Sequence, residues 1–521
     1  MHKKLHFNSW YAKYSKKYII FAVSKTRMML KRKLLYILVG TALSITASAQ
    51  RQTMSLNDAI LIAQQNSFDA QLARFSFMSS YWAYKSFRAE LLPSMSITGG
   101  IMNFNHSRVE ARNSEDGKIN YVDNNSLTNS LTFSVDQQIS SLGGTLSLQS
   151  YLYRLDQFDY KMTTYNTLPL KLSYAQPLRS YNELKWRKKS EPKEYERAKK
   201  VYLENIEDVA IQVASLYFDA ISAQSDYLQN VSKYKDLEAL YEISKKRLSL
   251  GTITKSDLLQ LELSMLNTKV EVNNSKIKLD DGLFNLFSYL RVTNYQDVEL
   301  TPPSNVMDMV LNADEVTLKA LTNSSHVLEQ DLSVLNAQQN LAKAKSAKGI
   351  QMQLNAEVGF NRTADGFAAA YRNLQDNEII GVSITLPIFD WGVQKGKVMV
   401  AKSNLELAKT KKEQADNDYI QKIKREVLQF SFQSEQCRTS QKAQEISHER
   451  YYITKKRFEM GNISVTELNT ALQELETAKS QYITQLKTYW TYYYSLRRYT
   501  LYDWVQKRAL NADFDALIHN K

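Results

Sequence analysis

Residues 241–258 and 451–468 align without a gap. The first reads Tyr241-Glu-Ile-Ser-Lys-Lys-Arg-Leu-Ser-Leu-Gly251-Thr-Ile-Thr-Lys-Ser-Asp257-Leu258, the second Tyr451-Tyr-Ile-Thr-Lys-Lys-Arg-Phe-Glu-Met-Gly461-Asn-Ile-Ser-Val-Thr-Glu467-Leu468, and eight of eighteen positions are identical. Gln176-Pro177-Leu178 and Leu386-Pro387-Ile388 stand at the same spacing of 210. A third pair, Asn66-Ser67 with Leu92-Pro93 against Asn323-Ser324 with Gly349-Ile350, stands at 257. A duplicated chain follows, whose first half carries about 47 extra residues between Pro93 and Pro177.

The seven prolines lie at 93, 169, 177, 192, 302, 303 and 387, so residues 193–301 and 388–521 are almost free of helix breakers. Within the first stretch a heptad seam runs through Ile206, Val213, Ala220, Tyr227, Tyr234 and Tyr241, with Val209, Leu216, Ala223, Asn230 and Leu237 at its second position. Long helices are expected over Glu183–Leu250 and Gly392–Met460, each about 100 Å at 1.5 Å per residue, with Pro192 a possible kink. Shorter helices are expected over Ser55–Leu91, Thr254–Arg291 and Ala313–Ala347, two of them stacked to cover one long helix. Gly251 and Gly461 suit sharp reversals.

Strands are expected where apolar residues alternate: Leu131, Phe133 and Val135; Leu146, Leu148 and Leu152; Met352, Leu354, Ala356, Val358 and Phe360; Ile380, Val382, Ile384 and Leu386. The polar stretches Asn105–Thr128, Asp156–Asn166 and Asn361–Asn377 read as exposed loops. The fold class is therefore mainly α with a small β part, in two repeated halves.

The chain carries 67 Lys+Arg against 54 Asp+Glu, a net +13. Ten of those cations, and no acidic residue, fall in residues 1–49, so the remainder carries only +3 and no nucleic-acid partner is implied. From Met28 a basic patch Lys31-Arg32-Lys33, an apolar run and Ala47-Ser48-Ala49 follow in the order of a secretory signal cleaved before Gln50, and residues 1–27 read as a spurious upstream extension. No uninterrupted apolar stretch of 18 residues follows, so an exported chain is either soluble or crosses an outer membrane by β-strands. The segments are thus a leader (1–49), a first half (50–300), a linker (301–312), a second half (313–508) and a tail (509–521). A lone Cys437 and six scattered His offer no metal or disulfide framework, and no nucleophile elbow, phosphate loop or catalytic carboxylate pair appears. Neither cofactor nor enzymatic activity is expected.

These features together resemble the TolC family of outer-membrane efflux proteins. The resemblance covers nearly all of residues 55–505 and rests on the duplicated halves, the stretch from Asn66 to Pro93, the strand-exit motif Thr385-Leu-Pro-Ile-Phe-Asp-Trp-Gly392, and the Arg-to-Gly reversals Arg247–Gly251 and Arg457–Gly461. It implies a homotrimeric outer-membrane β-barrel continued by a periplasmic coiled-coil α-barrel, in efflux or type I secretion. The implied partners are a periplasmic adaptor (membrane fusion protein), an inner-membrane pump of RND or ABC type and outer-membrane lipid. The physics of lipid agrees, since a few strands with open edges cannot close a barrel alone. An added hairpin, Asn129–Ile139 with Thr145–Leu155, would raise the trimer from twelve strands to eighteen if it joined the wall, and twelve is the preferred count. The alternatives are an exported coiled-coil adhesin or structural rod without channel activity, and a single-chain barrel, which needs more strands.

The resemblance further implies an acidic periplasmic gate at Glu467, with Asp257 its repeat equivalent. Thr470 stands where well-studied members have a second acid, and Gln260 is its partner. The same residues read equally as caps: Ser464-Val-Thr-Glu467 as a capping box, Thr254-Lys-Ser-Asp257 as a near version. Adaptor docking is implied for Arg247, Leu250, Gly251, Arg457, Met460 and Gly461, while the Lys-Lys-Arg tracts at 245–247 and 455–457 also complement helix dipoles. Pro177, Pro387, Phe389, Trp391 and Gly392 mark strand exits, and Tyr151, Tyr153 and Tyr174 suit an aromatic belt. The cargo is not legible.

Overall fold

A computed structural model describes residues 52–112, 117, 119–295, 298–303, 306 and 309–519. The expected signal segment and its upstream extension lie outside the described residues. In chain order the elements are β1 (Gln52–Ser55), α1 (Leu56–Asn66), α2 (Phe68–Glu90), β2 (Ser94–Arg112), β3 (Ile119–Ile139), β4 (Gly144–Gln157), β5 (Met162–Pro177), α3 (Glu183–Ser249), α4 (Lys255–Leu290), β6 (Val298–Thr301), α5 (Ala313–Asn323), α6 (His326–Lys348), β7 (Gln351–Ala364), β8 (Gln375–Thr385), α7 (Val393–Glu459), α8 (Val465–Thr500), β9 (Tyr502–Asp503), β10 (Arg508–Ala509) and α9 (Phe514–His519). Two compact units are distinguished. The smaller is built around the paired strands β1 and β6; the larger holds the remaining elements.

The duplication is exact in helix length. α3 and α7 have 67 residues each, α4 and α8 have 36 each, and both pairs are offset by 210. β2 and β7 begin 257 apart, at Ser94 and Gln351. The heptad positions of α3 are buried or half-buried, with Val209, Val213, Ala220 and Leu237 at 2% exposure or less.

Two expected helices are each broken in two, and the physical reason is a serine. Ser67, fully buried, leaves the helical backbone and accepts a bond from the Ala70 amide, so α1 ends and α2 is capped. Its repeat equivalent Ser324 separates α5 from α6, and the next residue, Ser325, donates its amide and hydroxyl to Glu204 of α3 at 2.7 and 2.8 Å.

The strands form one antiparallel sheet in the order β2-β3-β4-β5-β7-β8. This corrects the preference for keeping the added hairpin outside the wall. β4 pairs along its whole length with residues 126–139 of β3, and the two are hydrogen-bonded on their far sides to β5 and β2. The hairpin's own alternation matches that of its neighbours, so placing it elsewhere would leave four strand edges unpaired. Its turn is anchored to the N-cap of α3, where Asn182 Nδ2 donates to the Ser140 carbonyl at 3.0 Å, and to the end of β5, where Gln176 Nε2 donates to the Leu142 carbonyl at 2.9 Å. The stretch expected as a loop over Asn105–Thr128 is instead mostly strand, with Arg112 paired to Ile119. Low hydropathy misled there: a ribbon solvated on both faces needs no apolar side chains to keep its ladder.

Candidate functional site

The sheet sorts its side chains by face. Met95, Val135, Leu148, Leu172 and Val358 are successive partners across five strands, and Leu146, Tyr174, Ala356 and Ile380 make a second row. Ile97, Ile384 and Leu386 extend the same face, and nothing in the described chain covers it, Ile380 being 80% exposed. The other face is polar. Ser96 bonds Ser134 at 2.8 Å, Ser147 donates to Asp136 at 2.5 Å, and Lys171 pairs with Glu357 at 2.8 Å. Such an apolar-out, polar-in sheet is that of a barrel wall in lipid. β2 and β8 each have one unpaired edge.

The expected aromatic belt is only partly on the apolar face. Tyr174 is there, opposite Leu146. Tyr151 and Tyr153 face the polar side, opposite Thr132 and Ser130, with ring centroids 6.1 Å apart. The period of 2 puts them there, because the apolar residues of β4 hold the even positions up to Leu152.

The helices also leave apolar surface uncovered. On α4, Leu259, Leu263, Leu266, Val270, Ile277 and Phe284 are all exposed and follow steps of four, three, four, seven and seven. That is a coiled-coil seam without a partner in this chain.

At the end of α3 and α7 remote from the sheet, both reversals have the same geometry. Gly251 (φ 73°) and Gly461 (φ 88°) take the left-handed conformation, and the Thr252 and Asn462 amides reach back to the Arg247 and Arg457 carbonyls at 3.0 Å. Beneath them Leu237, Leu240, Leu261, Phe458, Val465 and Leu468 form one buried cluster. Leu250 and Met460 project, 77% and 68% exposed.

The four candidate gate residues differ in their surroundings. Asp257 completes a capping box with Thr254, whose hydroxyl donates to it at 2.8 Å. Glu467 does not complete one: its amide bonds Ser464 Oγ at 3.2 Å, but its carboxylate turns to Arg457 at 3.6 Å. The expected order of full and near boxes is thus reversed, because Glu467 has a cation in reach. Thr470 donates to its own helix at the Thr466 carbonyl, 2.9 Å away, and lines an open groove with Ser440, Ser447 and Glu474. Gln260 is exposed.

The basic tracts do more than face dipoles. Arg247 crosses to the second half, donating to the Phe458 carbonyl at 3.1 Å. Lys455 binds Asp236 at 2.6 Å, and the Tyr451 hydroxyl donates to the same carboxylate at 2.9 Å. Burial and the nearby Asp236 charge push the Tyr451 phenol well above its usual range. Asp236 and Tyr451 were not singled out from sequence. The repeat offered no signal for the acid, since its equivalent is Ile446. Strand-exit residues Pro387, Phe389, Trp391 and Gly392 follow β8 and are exposed, whereas Pro177 closes β5.

Among the described residues no helix is long and apolar enough to cross a membrane, and no group of His, Cys, Asp or Glu could hold a metal ion. Residues 318–500 match the family model described as outer membrane efflux protein. No curated protein matches the chain. Solved structures with a similar fold include the CmeC outer membrane channel of Campylobacter jejuni (15% identity, 89% of this chain and 88% of that one, TM-score 0.60), the outer membrane protein VceC of Vibrio cholerae (12%, 85% and 95%, 0.59) and the open state of the MtrE outer membrane channel of Neisseria gonorrhoeae (15%, 88% and 91%, 0.58).

Proposed function

Because residues 318–500 match the outer membrane efflux protein family model and the sheet has an uncovered apolar face, we propose that the chain is the outer-membrane channel of a tripartite efflux or secretion system. Three copies share one barrel and continue it as a helical duct. The carrying observation is the sheet: its apolar rows run in register across the strands, while its two outer edges lack partners. In lipid, unsatisfied backbone at such edges costs several kcal/mol per group, so neighbouring copies must pair β2 with β8. Six strands per chain then make eighteen in a trimer, about half again as wide as twelve. The bare seam on α4 supports the same assembly.

The tip serves adaptor docking through Leu250, Gly251, Met460 and Gly461, with Arg247 and Arg457 behind them. The gate is set by Glu467 and Asp257, with Thr470 and Gln260 one turn on, and is less acidic than a ring that carries a second acid at the position of Thr470. An inner-membrane pump completes the path, and the duct itself performs no chemistry. An exported rod without a channel has no use for an apolar sheet face, and no observation favours it.

Detergent-purified protein should have the mass of three chains, conduct ions in planar bilayers and show eighteen strands in images down the axis. A monomer without conductance refutes the channel. A conducting trimer with twelve strands in its wall refutes only the count.

A further inference from the structure

The helix ends next to the sheet concentrate positive charge. Four segments enter or leave the strands at that end: 85–92 before β2, 178–193 after β5, 343–350 before β7 and 386–397 after β8. They hold thirteen Lys/Arg and four Asp/Glu. Since the chain beyond residue 49 carries only +3 in all, everything outside this level is net acidic. At the opposite end of the sheet, segments 105–125, 154–165 and 361–378 hold seven basic and nine acidic residues. The asymmetry is therefore a property of one side of the sheet.

Most of this charge is uncompensated. Arg187 is paired with Glu90 and Glu191. Lys188, Lys189, Lys345 and Lys348 are exposed, and among the described residues none has a carboxylate within ion-pair distance. The start of α3 and the end of α6 are neighbours, since Gln339 donates to the Tyr181 hydroxyl at 2.5 Å and Lys343 Nζ lies 6.0 Å from the Tyr181 ring.

The collar adjoins the apolar face in the chain. Past the end of β8 exposed apolar residues continue as Leu386, Ile388, Phe389 and Trp391, the last two with rings that meet edge-on at 4.5 Å while Trp391 is 88% exposed. Lys85 lies 4.6 Å from the Trp82 ring and Lys189 5.2 Å from that of Trp186. Indoles mixed with ammonium groups at the margin of an apolar band are suited to the headgroup layer, where the ring is half in hydrocarbon and the cation meets phosphate.

We propose that this collar binds anionic phospholipid headgroups in the leaflet on the helix side, through Lys188, Lys189, Lys345 and Lys348, with Phe389 and Trp391 seated at the acyl boundary. The proposal rests on the membrane-channel reading above. It adds that the chain selects lipid by charge on one side only.

The test compares wild type, the quadruple variant K188Q/K189Q/K345Q/K348Q and the corresponding quadruple Lys→Arg variant. Each is reconstituted with equal phosphatidylglycerol and phosphatidylcholine, re-extracted, and its retained lipid measured by native mass spectrometry. Wild type and the Arg variant should prefer phosphatidylglycerol. The Gln variant, at unchanged oligomeric mass, should lose that preference by about tenfold or more, since each cation near an anionic surface contributes a several-fold factor. The wild-type preference should also weaken as salt rises. Equal retention by wild type, or undiminished preference in the Gln variant, overturns the collar. So does loss of anion preference in conductance with retention unchanged, which would place the lysines in the bore. Conductance in pure phosphatidylcholine separates the two readings: if wild type fails to conduct, the channel falls and the collar with it, whereas a conducting protein without lipid preference removes the collar alone.

Discussion

The Tyr451 hydroxyl donates to the Asp236 carboxylate at 2.9 Å, and Lys455 binds the same carboxylate at 2.6 Å, so one acid of α3 holds two residues of α7 just behind the tip. With Arg247 reaching the Phe458 carbonyl, this ties the end of one repeat to the end of the other. The apolar cluster beneath is shared by both repeats, and the polar tie sets how closely they approach.

Replacing Asp236 with Ala removes both bonds and leaves Lys455 unpaired. Hydrogen bonds to charged groups in partly buried settings are worth about 2 kcal/mol, and the tip should loosen by that order. Single-channel recording should show a several-fold rise in open probability while the oligomer survives in detergent. Unchanged gating would mean that the cluster alone holds the tip.

The two reversal glycines separate backbone from side-chain effects. Ala at either pays about 1 kcal/mol for a left-handed backbone. At Gly251 a Cβ meets nothing within 4 Å, whereas at Gly461 it comes within 2.8 Å of Arg247. Gly461→Ala should therefore cost about 1 kcal/mol more, through the displaced Arg247 bond to Phe458, in chemical denaturation run side by side.

Leu172 and Ser173 are neighbours in β5 with opposite destinations. Leu172→Arg puts a charge in the apolar row between Leu148 and Val358 and should cost about 2–4 kcal/mol of membrane stability, seen as loss of membrane-inserted protein. Ser173→Arg faces the polar side opposite Glu357 and should insert normally. Similar losses from both would contradict the assignment of faces.

Glu204 lies beneath the break between α5 and α6, where burial raises its carboxyl above the ordinary range against the opposing effect of its bonds to Ser325. Folding therefore favours the protonated form. Its contribution to stability is full below the unfolded value of about 4.3 and is lost as pH rises through the folded value. Wild type should lose stability across that window, and Glu204→Gln should flatten the slope in thermal melts taken at successive pH values. A variant with the wild-type slope would mean that another group titrates.

Much of the helical architecture was legible because proline, glycine and heptads act locally. The 67-residue helices end within one or two residues of the positions that Gly251 and Gly461 mark. Ser67 and Ser324 were visible as repeat landmarks, yet not as breaks, since a serine ends a helix only where neighbours take up the freed backbone groups. The ribbon from Asn105 to Thr128 was hidden for the converse reason: its strands are specified by pairing with one another, and their side chains carry no period. Asp236 escaped notice because one exposed-looking acid among many has no local mark; its meaning comes from Tyr451 and Lys455, more than 200 residues away.

Covalent order alone dictated the repeat, the lengths of the helices that flank the two reversals and the apolar alternation of the strands, because each depends on residues within a turn or two of one another. Whether the hairpin joined the wall, which face received each tyrosine and which acid tied the repeats together depended on register and on contacts between distant segments. Those are settled only when the whole sheet and both reversals are in place, since hydrogen-bond partners and burial are properties of the assembled chain.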